Sequence, residues 1–142
     1  RKLNDEFYKE ILNRIYQIGH KIKKRKLDVL IMGITYKKNC PDVRNSQIFK
    51  IIKELKKTKN TVSVFEPLIR KKAILEISKK NKFLIYNPTK NKSKKFDLIL
   101  YSLNHTKFKK FDIKKLKNLL NIKGKIFDLT QRFKSSDVDE KI

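Results

Sequence analysis

The residues best equipped for chemistry are concentrated in one stretch, Gly33-Ile34-Thr35-Tyr36-Lys37-Lys38-Asn39-Cys40-Pro41-Asp42-Val43-Arg44-Asn45-Ser46. Lys37 can set an ammonium against a phosphate or carboxylate, and Tyr36 adds a flat face and a hydroxyl. Arg44 carries a planar fork suited to pyrophosphate or carboxylate. Ser46 is placed to cap a helix, whose first turn favours anions. Gly33 lets the chain turn sharply as it enters the stretch. The chemistry these types share is anion binding. The competing reading is that Asp42 and Arg44 only brace the loop and that Tyr36 packs. Two other polar segments, Leu103 to Lys107 and Leu129 to Arg132, contain His105, Thr130 and Arg132.

Covalent and metal chemistry have less support. Cys40 is the chain's one cysteine; nearby lysines could lower its pKa, but it sits inside the anion-binding stretch and reads as a loop residue. It excludes an internal disulfide and fits a reducing compartment. His105 reads as a loop histidine bonded to backbone. Neither a metal-ligand spacing nor a Ser-His-Asp set nor a carboxylate pair stands out. No catalytic and no metal-binding residue is assigned.

These groups need a scaffold that brings them together. Leu3, Phe7, Ile11, Leu12, Ile15 and Ile18 recur at helical spacing, with Gly19 as a terminator. Leu27 to Gly33 is a short apolar run, expected as a buried parallel strand. Ser46 should cap a helix with Ile48, Ile51, Ile52 and Leu55 inward. Thr61 to Phe65 alternates as a strand. Ile69 to Lys80 follows as a helix with Ile74 and Ile77 inward, and Phe83 to Tyr86 as a short strand. Asn87 to Lys95 is a lysine- and asparagine-rich loop, expected to be mobile. Asp97 to Ser102 is a buried strand, Phe111 to Leu120 a helix, Lys125 to Asp128 the last strand and Thr130 to Ile142 a polar tail. Strands alternating with helices define an α/β fold, Rossmann-like, with a mostly parallel sheet, helices on both faces and one N-terminal helix in front. Such sheets bind ligands beyond the C-terminal ends of their strands, where all three polar segments should meet.

The length of 142 residues fits one core. The net charge of +24 resembles a nucleic-acid footprint. However, 32 of the 38 basic residues are lysine and only six are arginine. Lys, Asn and Ile share A/T-rich codons, so a compositional bias spread over the surface accounts for the charge. Nucleic-acid readers lean on arginine, and a nucleic-acid partner is not expected. The apolar runs are too short to span a bilayer, and no apolar segment follows the charged N-terminus as a signal peptide would. A cytoplasmic location with no membrane partner is expected. The chain opens on Arg1 within an apparent helix, which reads as a piece of a longer protein.

The loop Gly33-x-x-Tyr36-Lys37-x-Asn39-x-x-Asp42-x-Arg44-x-Ser46 resembles the opening of the UDP-binding C-terminal domain of the UDP-glucose/GDP-mannose dehydrogenase family. Glu66-Pro67 is similar to that family's strand-ending Asp-Pro. Asp97 to Leu100 followed by Asn104-His105-Thr106-Lys107-Phe108 resembles its strand-then-His-x-x-Phe segment, and Ile126-Phe127-Asp128 its last strand. Arg1-Lys2-Leu3-Asn4-Asp5 resembles the Arg-x-x-Asn-Asp that opens the helix leaving the central domain. Asn39 to Asn45 and Phe127-Asp128-Leu129 resemble the branch acting on UDP-N-acetylhexosamines for surface polysaccharides.

The resemblance implies a two-step, NAD-dependent oxidation of the sugar C6 alcohol to a carboxylate through a cysteine-bound intermediate. It implies a UDP-sugar substrate and NAD as cofactor, bound mainly by a domain this sequence does not contain. No Gly-x-Gly-x-x-Gly and no Gly-Gly-Ser-Cys occur here; the N-terminal and central domains are missing partners, and this chain alone should be inactive. By the resemblance, residues 1–20 end the central-domain linker helix, 21–134 form the UDP-sugar-binding domain and 135–142 a tail. Tyr36 and Lys37 should contact the nucleotide-sugar, Arg44 should reach toward NAD, and Asp42 should orient Arg44. The family's basic residue two positions after the terminal Asp is replaced by Thr130, with Arg132 the candidate substitute. The linker helix makes a dimer interface in the family, so a homo-oligomer is expected of the complete protein, and the helix stripe should be exposed in the isolated chain. The alternatives are a stand-alone basic module binding nucleic acid or other polyanions, and a non-functional remnant.

Overall fold

The computed structural model describes residues 5–142; the expectations for Leu3 and for the Arg1 to Asn4 part of the N-terminal motif lie outside them. Six strands form one sheet in the order β3-β2-β1-β4-β5-β6, and every neighbouring pair is parallel. They are β1 (Asp28–Met32), β2 (Thr61–Phe65), β3 (Leu84–Ile85), β4 (Phe96–Tyr101), β5 (Leu120–Asp128) and β6 (Glu140–Lys141). The helices are α1 (Asp5–Lys21), α2 (Ile48–Lys57), α3 (Lys71–Asn81) and the short α4 (Ile113–Lys117).

Side chains along a strand alternate between faces, and the core divides accordingly. Val29, Ile31, Val62, Val64, Leu98 and Leu100 meet α1, α2 and α3 on one face. Leu30, Met32, Ile99, Tyr101 and Ile126 meet Phe108, Phe111 and Leu116 on the other. That second face is covered by α4, a 3-10 turn at Thr106–Phe108 and a set of edge-on aromatic contacts among Phe65, Tyr86, Phe96 and Phe111. Helices therefore cover both faces, and the α/β reading holds.

Several local expectations are corrected. Helix α1 runs past Gly19 to Lys21, because Lys23, at φ +58°, takes the left-handed closing position and the Lys24 N–H donates to the Gly19 carbonyl at 3.0 Å. Its apolar stripe is not exposed: Phe7, Ile11, Leu12, Ile15 and Ile18 are all buried, and the helix packs on α2. Helix α2 starts at Ile48 with Gln47 at the cap position and no side-chain cap; Ser46 instead donates from Oγ to the Thr35 carbonyl at 3.4 Å. The helix expected from Phe111 to Leu120 contracts to α4, since Leu120 already belongs to β5. Asp112 caps α4 by accepting from the Lys115 N–H at 2.9 Å. The polar tail folds back as β6 beside β5, and Arg14 of α1 ties it down through Glu140 and the Lys141 carbonyl. A tail strand of two residues has no periodicity to announce it.

The strand order reverses between β1 and β4, which leave the sheet side by side but connect to opposite edges. Such a switch point opens a crevice at the strand C-termini.

Candidate functional site

The crevice is present where the switch point places it. Two adjoining hollows of about 320 and 490 Å³ share Tyr36, Ser102, Leu103 and Leu129. Their walls come from the segments after β1, β4 and β5, the three expected to converge, with Phe7 of α1 added to the smaller. Lys37, Asn104, Thr130 and Gln131 line the larger hollow, and Asn45 to Ile48 line the smaller. A wider groove of about 1040 Å³ lies apart from this, beside Phe65 to Pro67 and Ile85 to Asn91.

Gly33 makes the exit from β1 possible. Its φ is +94°, and a Cβ there would lie 2.8 Å from Leu103 Cβ. Beyond it the loop is held by its own bonds. The Tyr36 N–H donates to the Asp42 carbonyl at 2.7 Å, and the Thr35 hydroxyl to the Lys37 carbonyl at 2.9 Å. Tyr36 and Lys37 are both exposed on the cleft side of this loop.

Arg44 stands outside both hollows, with its side chain 85% exposed. Asp42 grips it through both carboxylate oxygens, at 2.8 Å to Nη2 and 3.0 Å to Nε. The Arg44 side chain and backbone N–H together hold the Asp42 pKa down at about 2. One face of the guanidinium is thus fixed while the rest is open to a group arriving from outside the chain.

The turn after β5 gives the least expected result. Buried Asp128 accepts from the Thr130 N–H at 2.8 Å, the Thr130 hydroxyl at 2.7 Å and the Phe133 N–H at 3.0 Å. The Thr130 hydroxyl also accepts the Arg132 N–H, which leaves it a single lone pair for a ligand. The Arg132 guanidinium is turned away from the cleft. It donates to the Tyr101 hydroxyl at 2.8 Å and to the carbonyls of Phe108 and Lys109, and it stacks over Phe133 at 4.7 Å. Burial pushes the Tyr101 hydroxyl pKa up, against the pull of Arg132. The residue of this turn that enters the cleft lining is Gln131, in the left-handed region at φ +72°. Sequence reasoning passed over it because an exposed glutamine carries no signal.

A second missed residue is Gln47. Its Oε1 is buried without a donor, in the wall of the smaller hollow, at the uncapped start of α2. The first N–H groups of that helix and its dipole favour an anion at this end.

His105 is fully buried, and Glu66 is buried with it. The imidazole Nδ1 accepts the Asn39 N–H at 3.0 Å, as expected of a histidine bonded to backbone. Its Nε2 lies 3.1 Å from Glu66 Oε1. Cys40 is partly buried in the loop as a free thiol. Among the described residues no cluster of His, Cys, Asp or Glu could hold a metal ion, and no helix is long and apolar enough to cross a membrane.

The crevice does not fit a dinucleotide. A dinucleotide cradle needs a glycine-rich turn after β1 and an acid at the end of β2 free to bond a ribose. Here the turn has Gly33 alone. The acid, Glu66, is taken up by the N–H groups of Ile34, Thr35 and Leu68 and by His105.

A parallel sheet in this order, with an anion-favouring crevice at its switch point, defines a Rossmann-like ligand-binding domain without the dinucleotide fingerprint. Residues 30–135 match the family model described as "UDP-glucose/GDP-mannose dehydrogenase family, UDP binding domain". The chain belongs to this family. It is 37% identical over 71 residues to the UDP-N-acetyl-D-glucosamine 6-dehydrogenase of Salmonella typhi and 34% identical over 71 residues to that of Pseudomonas aeruginosa. Each alignment covers 49% of this chain and 17% of the relative. The fold is similar to the UDP-N-acetyl-mannosamine dehydrogenase Cap5O of Staphylococcus aureus, with TM-score 0.68 and 23% identity over 97% of this chain and 31% of that one. It is also similar to the UDP-D-ManNAc dehydrogenase of Pyrococcus horikoshii, with TM-score 0.70 and 17% identity over 92% of this chain and 28% of that one. The chain thus spans less than a third of the solved relatives.

Proposed function

We propose that this chain holds a UDP-N-acetylhexosamine for oxidation at C6 by an NAD-dependent dehydrogenase of surface-polysaccharide synthesis. The catalytic cysteine and the NAD cradle belong to further domains, and the complete enzyme is a homo-oligomer. The observation that supports this best is the convergence of three loops on one open crevice at the switch point, where Tyr36 lines both hollows, Lys37 the larger and the uncapped start of α2 the smaller.

Each group has a part in that reading. Lys37 and the α2 N-terminus offer positive charge to a diphosphate. Tyr36 offers its ring face and hydroxyl to the base or sugar. Gln47 offers its amide to hydroxyl or acetamido groups, Gln131 its carbonyl oxygen, the Gln131 Nε2 already donating to the Ile142 carbonyl at 2.6 Å, and Thr130 one acceptor. Arg132 supports the wall through Tyr101. Arg44 projects outward, where NAD carried by another domain would approach, and Asp42 keeps its fork oriented. Family membership is the ground for NAD, and Arg44 is the residue of this chain proposed to meet it.

Isothermal titration with UDP-N-acetylglucosamine tests the reading. Lys37→Ala should weaken binding roughly tenfold, the worth of one charge-assisted hydrogen bond, and Lys79→Ala on exposed α3 should leave it unchanged. Equal loss for both variants, or binding that vanishes with moderate salt and is matched by any polyanion, would replace the site with diffuse lysine charge.

A further inference from the structure

The segment that carries Tyr36 and Lys37 is anchored at both ends by one polar chain. Upstream, Glu66 Oε1 accepts the Ile34 N–H at 2.8 Å and the Thr35 N–H at 3.3 Å. Downstream, Asn39 makes three bonds to the dipeptide His105-Thr106. Its N–H donates to His105 Nδ1 at 3.0 Å, its Oδ1 accepts the Thr106 N–H at 2.8 Å, and its Nδ2 donates to Thr106 Oγ1 at 2.9 Å. Asn39 sits in the left-handed region at φ +60°, a conformation asparagine tolerates better than most residues.

The two anchors are joined through the histidine. Because Nδ1 accepts from Asn39, the ring proton is on Nε2, and Nε2 therefore donates to Glu66 Oε1 across 3.1 Å. The carboxylate thus binds one end of the exposed segment directly and the other through the imidazole. Side chains of Glu66 and His105 have no exposure at all, so water does not compete for the bond between them.

We propose that Glu66, His105 and Asn39 form a latch that sets the shape of the 35–39 segment, and hence where Tyr36 and Lys37 stand in the cleft. They are positioning residues: none of them needs to touch a ligand. The effect of the latch on affinity rests on the UDP-sugar reading above; its effect on the loop does not.

Two substitutions at His105 separate the two ends of the latch. His105→Asn keeps an acceptor near the Nδ1 position for the Asn39 N–H and gives up the donor to Glu66. His105→Gln keeps a donor near the Nε2 position and gives up the acceptor. A merely structural histidine would make loop order follow stability. The latch makes them part company: His105→Asn melts lower, because buried Glu66 loses a partner, yet holds the loop, whereas His105→Gln melts higher and releases it. Asn39→Ala changes an exposed residue, so it should fold and release the loop as well.

The measurement is amide hydrogen exchange by NMR, read at Asn39 and at Ile31 in β1, together with titration of UDP-N-acetylglucosamine. Exchange at Asn39 should rise roughly tenfold in His105→Gln and Asn39→Ala, with Ile31 unmoved and His105→Asn close to the unsubstituted chain. Affinity should fall roughly tenfold in the same two variants, His105→Gln having lost the bond to the backbone N–H and Asn39→Ala the side-chain bonds to Thr106. Asn39 exchange that does not move in His105→Gln and Asn39→Ala, or that follows melting temperature across the set, overturns the latch whatever the affinities. If the exchange pattern holds and the unsubstituted chain fails to bind the UDP-sugar, the latch stands and the UDP-sugar reading falls.

Discussion

Two buried carboxylates sit at opposite ends of the same sheet, and the chain treats them differently. Asp97, at the start of β4, is met by the Lys24 ammonium at 2.8 Å, the Asp28 N–H and the Asn121 amide. Burial alone would raise its pKa. The bonds from Lys24, from the Asp28 backbone and from Asn121 outweigh burial and lower it. Glu66, at the end of β2, is met by three backbone N–H groups and a histidine ring. With 32 lysines available, the acid at the cleft end is nonetheless balanced by backbone and imidazole. A lysine on Asp97 only offsets a charge, and any nearby lysine would serve. Two of the three amides on Glu66, those of Ile34 and Thr35, belong to the loop that forms the cleft, so the same bonds that satisfy the acid also shape the site.

The largest expected effect tests that difference. Glu66→Ala strips the acceptor from the N–H groups of Ile34, Thr35 and Leu68, and leaving such buried donors unpaired costs about 3 kcal/mol or more. Urea denaturation should show that loss. A cost under about 1 kcal/mol would mean the loop re-pairs easily and does not depend on Glu66.

Asp97→Asn should cost less, about 1–2 kcal/mol at neutral pH, because Lys24 is half exposed and water competes for the pair. The folded pKa of Asp97 is lowered, so its contribution is fully present above the unfolded value near 3.8. It is lost as pH falls through the lower folded value. Stability of the unsubstituted chain should therefore drop in that acidic window by more than that of Asp97→Asn, and the two curves should converge below it. Parallel curves would show that Asp97 is not the group titrating.

The smallest effect contrasts two left-handed residues. Lys82 closes α3 at φ +59°, and Lys82→Gly should stabilise by about 0.5–1 kcal/mol by removing the Cβ conflict. Asn39→Gly should not stabilise, because its side-chain bonds to Thr106 are worth at least as much. A gain at both positions would make Asn39 an ordinary turn residue.

Much of this was legible in the residues. Strands β1, β2 and β4 declare themselves as apolar runs bounded by polar segments, and a parallel sheet follows from their alternation with helices. That fixes which loops share the C-terminal edge, so Tyr36, Lys37 and Thr130 could be placed around one crevice in advance. What could not be read depends on partners distant in sequence. The stripe of α1 is apolar whether it meets another subunit or α2, and only the packing decides. Ser46 has the right type for a cap, but the helix begins two residues later. Arg132 lies close enough to the cleft to be a candidate, yet three acceptors on the far side, Tyr101, Phe108 and Lys109, claim it. Glu66 looked like a strand ending, and its bonds to His105 and to the loop amides have no local trace.

The central claim is that one crevice, built from the segments after β1, β4 and β5, takes a UDP-sugar. Amide chemical-shift mapping with UDP-N-acetylglucosamine tests it directly. Saturable shifts should cluster at Tyr36, Lys37, Leu103 and Gln131 and at the start of α2, and should persist at physiological salt. Shifts scattered over the lysines of α3 and the 87–95 loop, or none at millimolar ligand, would contradict it.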